Sequence, residues 1–220
     1  MSSTVSEVLM NRPSAGHRDH EYTHAGPTWH HELVLPAIRC FLSGLPPEAN
    51  VVDVGCRNGY LISRVANTGW RLYGIDSSIS GIEWARRTYP QVEFVHGDAM
   101  RALTGELTAG SFDAVISVEV IEHTYDPRDM LTNLRSLLKP GGTLVLTTPY
   151  HGYLKSLAIA ITGKADSHYS PLWDGGHIKF WSHRTLAAVL RECGFGDLRF
   201  ADSGRVPFLW KKTIVKATKQ

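Results

Sequence analysis

The stretch Asn50–Gly59 constrains the fold more than any other part of this sequence. A short β-branched run, Val51–Val54, contains Asp53 and leads directly into a glycine loop. A second short apolar run ends in Gly74-Ile75-Asp76. Glycines let the backbone approach a ligand closely, and an acid at the end of the second strand can hold both hydroxyls of a ribose. This layout is typical of a nucleoside-binding β–α–β unit.

The apolar pattern that follows Pro46-Pro47 predicts a mostly parallel sheet covered by helices on both faces. Short apolar strands alternate with helical segments, which is the pattern of doubly wound α/β folds. The predicted strands are 51–54, 71–75, 92–96, 112–118, 143–147, 198–201 and 213–217. The predicted helices are 60–67, 80–88, 126–138 and a segment that Ser182 caps and Cys193-Gly194 ends.

The chain length predicts one domain, residues 1–220. At 220 residues the chain can bury one sizeable core and is short for two. Residues 1–45 are expected to form a polar N-terminal arm and a helix over 29–42, with an interruption or a kink at Pro36. Residues 149–181 break the strand–helix rhythm and are rich in aromatic side chains and histidine, so we expect a lid inserted over the site.

Composition favours a cytoplasmic protein without a segment that spans a membrane. The cysteines Cys40, Cys56 and Cys193 are few and widely spaced, as in a reducing compartment. Met1–Gly16 has no apolar stretch typical of a signal peptide, and Leu157–Ile161 is too short to span a bilayer. A net charge of +2 does not favour nucleic acid as a partner. The oligomeric state stays open.

The glycine loop disfavours a dinucleotide ligand. The dinucleotide motif needs G-x-G-x-x-G, but Gly55 is followed by Cys56, Arg57 and Asn58 before Gly59. A pyrophosphate would therefore find the loop poorly shaped, and an NAD-dependent oxidoreductase remains only as an alternative.

Together, several motifs between Val51 and Thr148 resemble those of class I S-adenosylmethionine-dependent methyltransferases. Residues 53–59 resemble the first motif of that family, and Asp76 matches its ribose-binding acid. Gly97-Asp98-Ala99 matches the step where an acid meets the adenine amino group, and residues 137–142 match the turn before strand five. The resemblance implies a Rossmann-like sheet of seven strands with an antiparallel last strand, and S-adenosylmethionine as cofactor. The residues it implies for cofactor binding are Asp53, Gly55, Cys56, Arg57, Gly59, Asp76, Ser77, Asp98, Ala99 and Glu119.

Arg57 departs from the family pattern, which usually has a second glycine at this position. A positive φ would carry a steric cost for arginine of roughly 1 kcal/mol or more. One interpretation is that the loop holds Arg57 at negative φ and its side chain points outward. The other is that its guanidinium helps to place the cofactor carboxylate.

The segment Glu119–His123 carries the most specific chemistry of the chain. Glu119, Glu122 and His123 are spaced i, i+3, i+4, and on a helical turn they would share one face. Two carboxylates and an imidazole suit a hard cation. The segment resembles the E-x-x-E-H element of ubiquinone-pathway O-methyltransferases and of small-RNA 2′-O-methyltransferases. That resemblance implies a divalent metal such as Mg²⁺ on Glu119, Glu122 and His123, completed by His177; without a metal, His123 would be a base or a core residue.

The candidate catalytic residues are His123, His177 and His151. Histidine is suited to taking a hydroxyl proton near neutral pH. The leading prediction is therefore O-methylation of a small molecule, with histidine as general base or with metal assistance. An RNA 2′-O-methyltransferase is an alternative, and N- or C-methylation stays open because the fold does not determine the acceptor.

Overall fold

A single sheet of seven strands organises the described part of the molecule. The structure is a computed structural model that describes residues 29–65, 67, 69–98 and 107–220. The strand order is β3-β2-β1-β4-β5-β7-β6, and β7 is antiparallel to both of its neighbours while the remaining pairs are parallel. This confirms the predicted fold class. The strands are β1 Asn50–Val54, β2 Arg71–Asp76, β3 Glu93–His96, β4 Phe112–Val118, β5 Leu138–Pro149, β6 Phe195–Ser203 and β7 Lys212–Lys219.

Helices cover both faces of this sheet. The described helices are α1 Trp29–Leu42, α2 Tyr60–Val65, α3 Ile79–Thr88, α4 Pro127–Leu137, α5 Tyr153–Ile161, α6 Ala165–Tyr169 and α7 His183–Glu192, with a 3₁₀ turn at Ile121–His123. Asp126 caps α4, and Ser182 forms a capping box with Thr185 at the start of α7. These caps satisfy free backbone N–H groups, which explains why both helices begin where the sequence predicted.

Two apolar cores lie on opposite faces of the sheet. Buried side chains of α4 and α7, such as Leu134 and Leu186, pack against one face. Val34 of α1, Ile62 of α2 and Ile82 of α3 pack against the other. Because both faces are covered, the parallel strands read as continuous apolar runs rather than as alternating ones.

Several element ends are shifted by up to about three residues from the predicted ones, and three differences are larger. Helix α1 continues through Pro36, since its buried Val34, Leu35 and Ile38 fix it against the sheet. Strand β5 begins at Leu138 rather than at 143, although its pairing with β4 is interrupted between Leu138 and Thr143. The region 149–181 contains the two helices α5 and α6, which have no buried residue and therefore no apolar periodicity set by a core.

Among the described residues, no helix is both long enough and apolar enough to cross a membrane.

Candidate functional site

The candidate site lies where the order of the strands reverses, between β1 and β4. In open α/β sheets, ligands bind beyond the carboxyl ends of the strands at this switch point. A cleft opens there. It is lined by His31, Asp53, Gly55, Cys56, Arg57, Leu61, Val118 and Glu119. Several residues predicted from the first motif thus share one cleft with Glu119, which follows β4.

The loop after β1 has three residues at positive φ. They are Gly55 at 85°, Arg57 at 54° and Gly59 at 77°. A Cβ at Gly55 would lie 2.5 Å from Cγ2 of Val120, so the loop and the segment after β4 meet here without room for a side chain. The interpretation that placed Arg57 at negative φ is therefore wrong.

Asp76 holds this loop through its carboxylate. One oxygen, Oδ2, accepts a hydrogen bond of 2.8 Å from the backbone N–H of Arg57, and Oδ1 accepts one of 2.8 Å from the N–H of Ser78. Ser78 also caps α3 with its side chain. The acid at the end of β2 is consequently fixed in position, and carboxylate oxygens have further lone pairs for ligand hydroxyls.

Asp53 is buried at the end of β1, and its Oδ1 has no hydrogen-bond partner among the described residues. Burial, followed by the nearby charge of Asp76, raises the pKa of Asp53 to about 8. A buried polar atom without a partner is rare and calls for an explanation. A ligand that donates a hydrogen bond in the cleft would supply one.

The other residues predicted for cofactor binding lie around this loop. Cys56 is buried, and a Cβ on Gly74 would approach its Sγ to 2.9 Å, so Cys56 packs behind the loop. The N–H of Gly97 donates to the carbonyl of Asp76 at 2.9 Å, which places Asp98 beside the end of β2. The carbonyl of Ser77 contacts the His96 ring at 3.0 Å. Ala99 lies outside the described residues.

Glu119 is set apart from the histidines by its backbone. Its φ is 57°, and the helical turn begins only at Ile121. The prediction that Glu119 shares a helical face with Glu122 and His123 is therefore wrong. Instead, its Oε2 accepts a short hydrogen bond from the Lys212 ammonium, and its Oε1 accepts one of 3.0 Å from the Thr147 hydroxyl.

Glu122, His123 and His177 converge on one point. One ligand-type atom from each of them lies within 4.8 Å of the others, and this group leaves out Glu119. Glu122 is fully buried, and neither of its carboxylate oxygens has a hydrogen-bond partner among the described residues. An orphaned carboxylate beside two imidazoles is chemically suited to a divalent cation.

The lid returns to the fold at this cluster. The N–H groups of Ile178 and Lys179 donate to the carbonyl of Glu122, at 2.9 and 3.0 Å. This brings Nε2 of His177 to 3.9 Å from Oε1 of Glu122. Residues that are distant in the sequence are thus joined through a backbone contact that no periodicity could indicate.

The tautomer of His123 follows from its hydrogen bond. Nδ1 lies 3.0 Å from the carbonyl oxygen of Gly175, which can only accept, so Nδ1 carries the proton. Nε2 then has a free lone pair. Burial lowers the pKa of His123, and burial together with His123 lowers the pKa of His177 to about 4. Both rings are therefore neutral near pH 7. The pKa of Glu122 is raised, first by burial and then by Glu119.

His151 lies in a different part of the lid. Its ring contacts those of Phe180 and His168, with centroid distances of 5.1 and 5.9 Å. Its Nε2 is buried without a partner among the described residues, and burial, followed by the charge of Lys155, lowers its pKa to about 4. His151 is thus not one of the three residues that converge with Glu122, although the charge of His177 acts on its ring.

Two residues of the site were missed by sequence reasoning. His31 lines the cleft and stacks on Tyr60, with ring centroids 5.1 Å apart and planes at 14°. Its spacing of three and seven residues from the buried Val34 and Ile38 was the available signal, because all three lie on one helix face. Lys212 gave no such signal, since lysine is almost never expected in a buried position.

Comparison with known proteins agrees with this geometry. Residues 28–199 match a family model described as a methyltransferase domain. Ubiquinone biosynthesis O-methyltransferase from Xanthomonas campestris pv. campestris (strain B100) is 32% identical over 148 residues, which are 61% of each protein. The enzyme of that name from Xanthomonas axonopodis pv. citri (strain 306) is 33% identical over 162 residues, 68% of this chain and 63% of that protein. The match thus spans less than two thirds of the length of these curated relatives.

Among solved structures, magnesium protoporphyrin IX methyltransferase from Synechocystis PCC 6803, with bound SAH, superposes with a TM-score of 0.65. The two sequences are 22% identical, and the superposition covers 87% of this chain and 84% of that one, which shows a shared fold. The chain belongs to the methyltransferase domain family, in the class I group that uses S-adenosylmethionine.

Proposed function

We propose that this protein transfers the methyl group of S-adenosylmethionine to a hydroxyl oxygen of a small molecule. The observation that carries this proposal is that two sites adjoin along the chain. The cleft of Asp53 and Arg57 is lined by Glu119, and the segment just after Glu119 carries Glu122 and His123, which His177 of the lid meets. The names of the curated relatives support oxygen as the acceptor atom.

The residues of the cleft fit the cofactor. Asp76 is fixed by two backbone N–H groups and would hold the ribose hydroxyls. The unpartnered Oδ1 of Asp53 would accept a hydrogen bond from the amino-acid part of the cofactor. Arg57 is half-buried in the lining of the cleft, where its guanidinium would face the carboxylate. The bound sulfonium supplies an activated methyl group, so the protein has to align the acceptor, exclude water and remove one proton.

His123 is the best-placed base among the predicted histidines. Its Nδ1–H is engaged by the Gly175 carbonyl, which orients the ring and leaves Nε2 as a proton acceptor. Its lowered pKa keeps that nitrogen unprotonated near neutral pH. His177 would assist at the same point, because the rings of the two histidines are 4.9 Å apart.

A divalent metal is the alternative to a histidine base. Glu122, His123 and His177 would hold it, and the two buried oxygens of Glu122 that have no partner fit a cation. Such an ion lowers the pKa of an acceptor hydroxyl and orients its oxygen atoms. Glu119 would take part only after leaving Lys212.

We propose the domain organisation that the sequence predicts. Residues 1–220 would act as one domain in which the lid, 149–181, covers the acceptor. The lid carries exposed aromatic side chains, among them Trp173 and Phe180, which suit a flat or apolar molecule.

Calorimetric titration with S-adenosylhomocysteine tests the cofactor assignment, and methyl transfer from labelled S-adenosylmethionine to a panel of phenols and catechols tests the reaction. Both are run with Mg²⁺ and with EDTA. The substitution His123→Ala is expected to lower turnover by roughly 10²–10⁴-fold while cofactor affinity is retained. If S-adenosylhomocysteine does not bind, the whole assignment is refuted. If EDTA does not change turnover, the metal-assisted mechanism is excluded. If His123→Ala turns over as fast as the wild type, the role of His123 as general base is excluded.

A further inference from the structure

Lys155, in the first turns of α5, has a half-buried ammonium group without a counter-ion. Its Nζ donates a hydrogen bond of 2.8 Å to the carbonyl of Tyr150 and lies 6.0 Å from the centroid of the Tyr150 ring. No carboxylate of the described residues forms an ion pair with it. An ammonium group has three hydrogens to donate, so Lys155 retains hydrogen-bonding capacity.

His151 lies just before α5, four residues ahead of Lys155, and also has a hydrogen-bonding atom without a partner among the described residues. Its Nε2 is buried and lacks a partner among the described residues. The charge of Lys155 acts on this ring. A neutral imidazole can carry its proton on either nitrogen, so Nε2–H is available as a donor.

The surroundings do not balance the charge of Lys155. Glu119 is the carboxylate whose charge reaches both His151 and Lys155, but it is already bound to Lys212. Lys211 and Lys212 both oppose the charge on Lys155, and burial with these two neighbours lowers the pKa of Lys155 to about 8. Keeping an unpaired cation half-buried costs free energy unless an anion binds beside it.

We propose that Lys155 and His151 form a subsite for a carboxylate of the methyl acceptor. Lys155 would bind one carboxylate oxygen and the Nε2–H of His151 the other, and both oxygens of a planar carboxylate would then be satisfied. The ring of Phe180 lies against His151, and Tyr169 lies 5.3 Å from Phe180, so an aromatic acid has an aromatic wall to pack on. This inference rests on the proposed function, and it gives His151 a role in positioning the acceptor rather than in proton transfer.

Benzoate and benzamide are the probes, because they have nearly the same shape and differ in charge. Each is titrated into the full chain, with and without saturating S-adenosylhomocysteine. We expect benzoate to bind about tenfold more tightly than benzamide, because a hydrogen bond to a charged group is stronger than one to a neutral group. Lys155→Met should abolish this preference. Lys164→Met removes an exposed lysine of the same lid and should keep it.

Three results would overturn the subsite. They are equal binding of benzoate and benzamide, an unchanged preference in Lys155→Met, and binding of phenyl phosphate that is tighter than that of benzoate and depends on Lys155. His151→Gln, which keeps an N–H donor, should retain more of the preference than His151→Leu. Binding of S-adenosylhomocysteine by each variant shows that it is folded. If the wild type fails to bind that compound, the proposed function fails, while the comparison of probes without it still decides the subsite.

Discussion

Arg57 occupies a backbone conformation that arginine rarely adopts, and its N–H group explains why. At a φ of 54°, the N–H reaches Oδ2 of Asp76 at 2.8 Å, so the loop and the acid that would bind the ribose hold each other. The left-handed region costs a residue with a Cβ roughly 1–2 kcal/mol. A glycine would avoid that cost, but it would leave the cleft without the guanidinium.

The substitution Arg57→Gly separates these two effects. We expect it to raise the free energy of unfolding by about 1 kcal/mol or less, because relief of strain is partly offset by the greater freedom of glycine in the unfolded chain. We expect affinity for S-adenosylhomocysteine to fall about tenfold through loss of a charged hydrogen bond. Urea denaturation and calorimetry measure the two quantities. Arg57→Lys keeps the charge and should retain more affinity; equal affinity in all three proteins would mean that the side chain takes no part.

Asp53 is expected to make the free energy of unfolding fall as the pH rises. Its pKa is raised from 3.8 to about 8, so the folded state favours the protonated acid. Its contribution to stability is therefore complete below pH 3.8 and is lost as the pH rises through about 8. Asp53→Asn cannot ionise. Between pH 5 and 9, we expect the wild type without ligand to lose stability relative to this variant, as measured by urea denaturation at each pH. Parallel curves for the two proteins would contradict the assignment.

At the scale of elements, a buried ion pair joins three strands at the carboxyl edge of the sheet. Glu119 follows β4, Thr147 belongs to β5 and Lys212 begins β7, and their hydrogen bonds cross both strand interfaces. The charged side chains of the pair are 7% and 5% exposed. Burial this deep means that removal of one partner leaves an uncompensated charge.

Lys212→Met tests this connection. We expect it to destabilise the protein by about 3–5 kcal/mol, because Glu119 is then buried without its partner. The double variant Glu119→Gln/Lys212→Met should recover much of the loss, since neither charge remains. Lys216→Met is the matched control, because Lys216 is only partly buried and its Nζ donates to the carbonyl of Phe41. If the effects of Glu119→Gln alone and of Lys212→Met alone add up to that of the double variant, the pair is not coupled.

The elements with a local signal could be predicted from the sequence, and the others could not. Strand β4 was predicted to the residue, and the starts of α4 and α7 followed from the caps at Asp126 and Ser182. Helices α5 and α6 were missed because neither buries a side chain: α5 is apolar along most of its length rather than on one face, and α6 has only five residues.

At the scale of the whole molecule, the site depends on contacts between distant parts of the chain. The motif residues after β1 and β2 could be found from the sequence because strand ends carry them to one edge. The partner of Glu119 is 93 residues away, and His177 reaches Glu122 through the backbone bonds of the returning lid. Such pairings arise from the sheet order and the path of the lid, which local patterns do not contain.

This dependence makes ligand binding a test of the complete fold. A ligand that binds only the folded state at a hundred times its dissociation constant stabilises that state by about 2.7 kcal/mol. For a chain of this length, this corresponds to a rise in melting temperature of about 5–10 °C. We expect that rise with S-adenosylhomocysteine in the wild type, as measured by differential scanning calorimetry.

Asp76→Ala should abolish the rise, because it removes both the ribose acceptor and the anchor of the loop at Arg57. Glu83→Gln, an exposed change on α3, should retain the rise. A rise in Asp76→Ala equal to that of the wild type would place the ligand outside the cleft at the ends of β1 and β2.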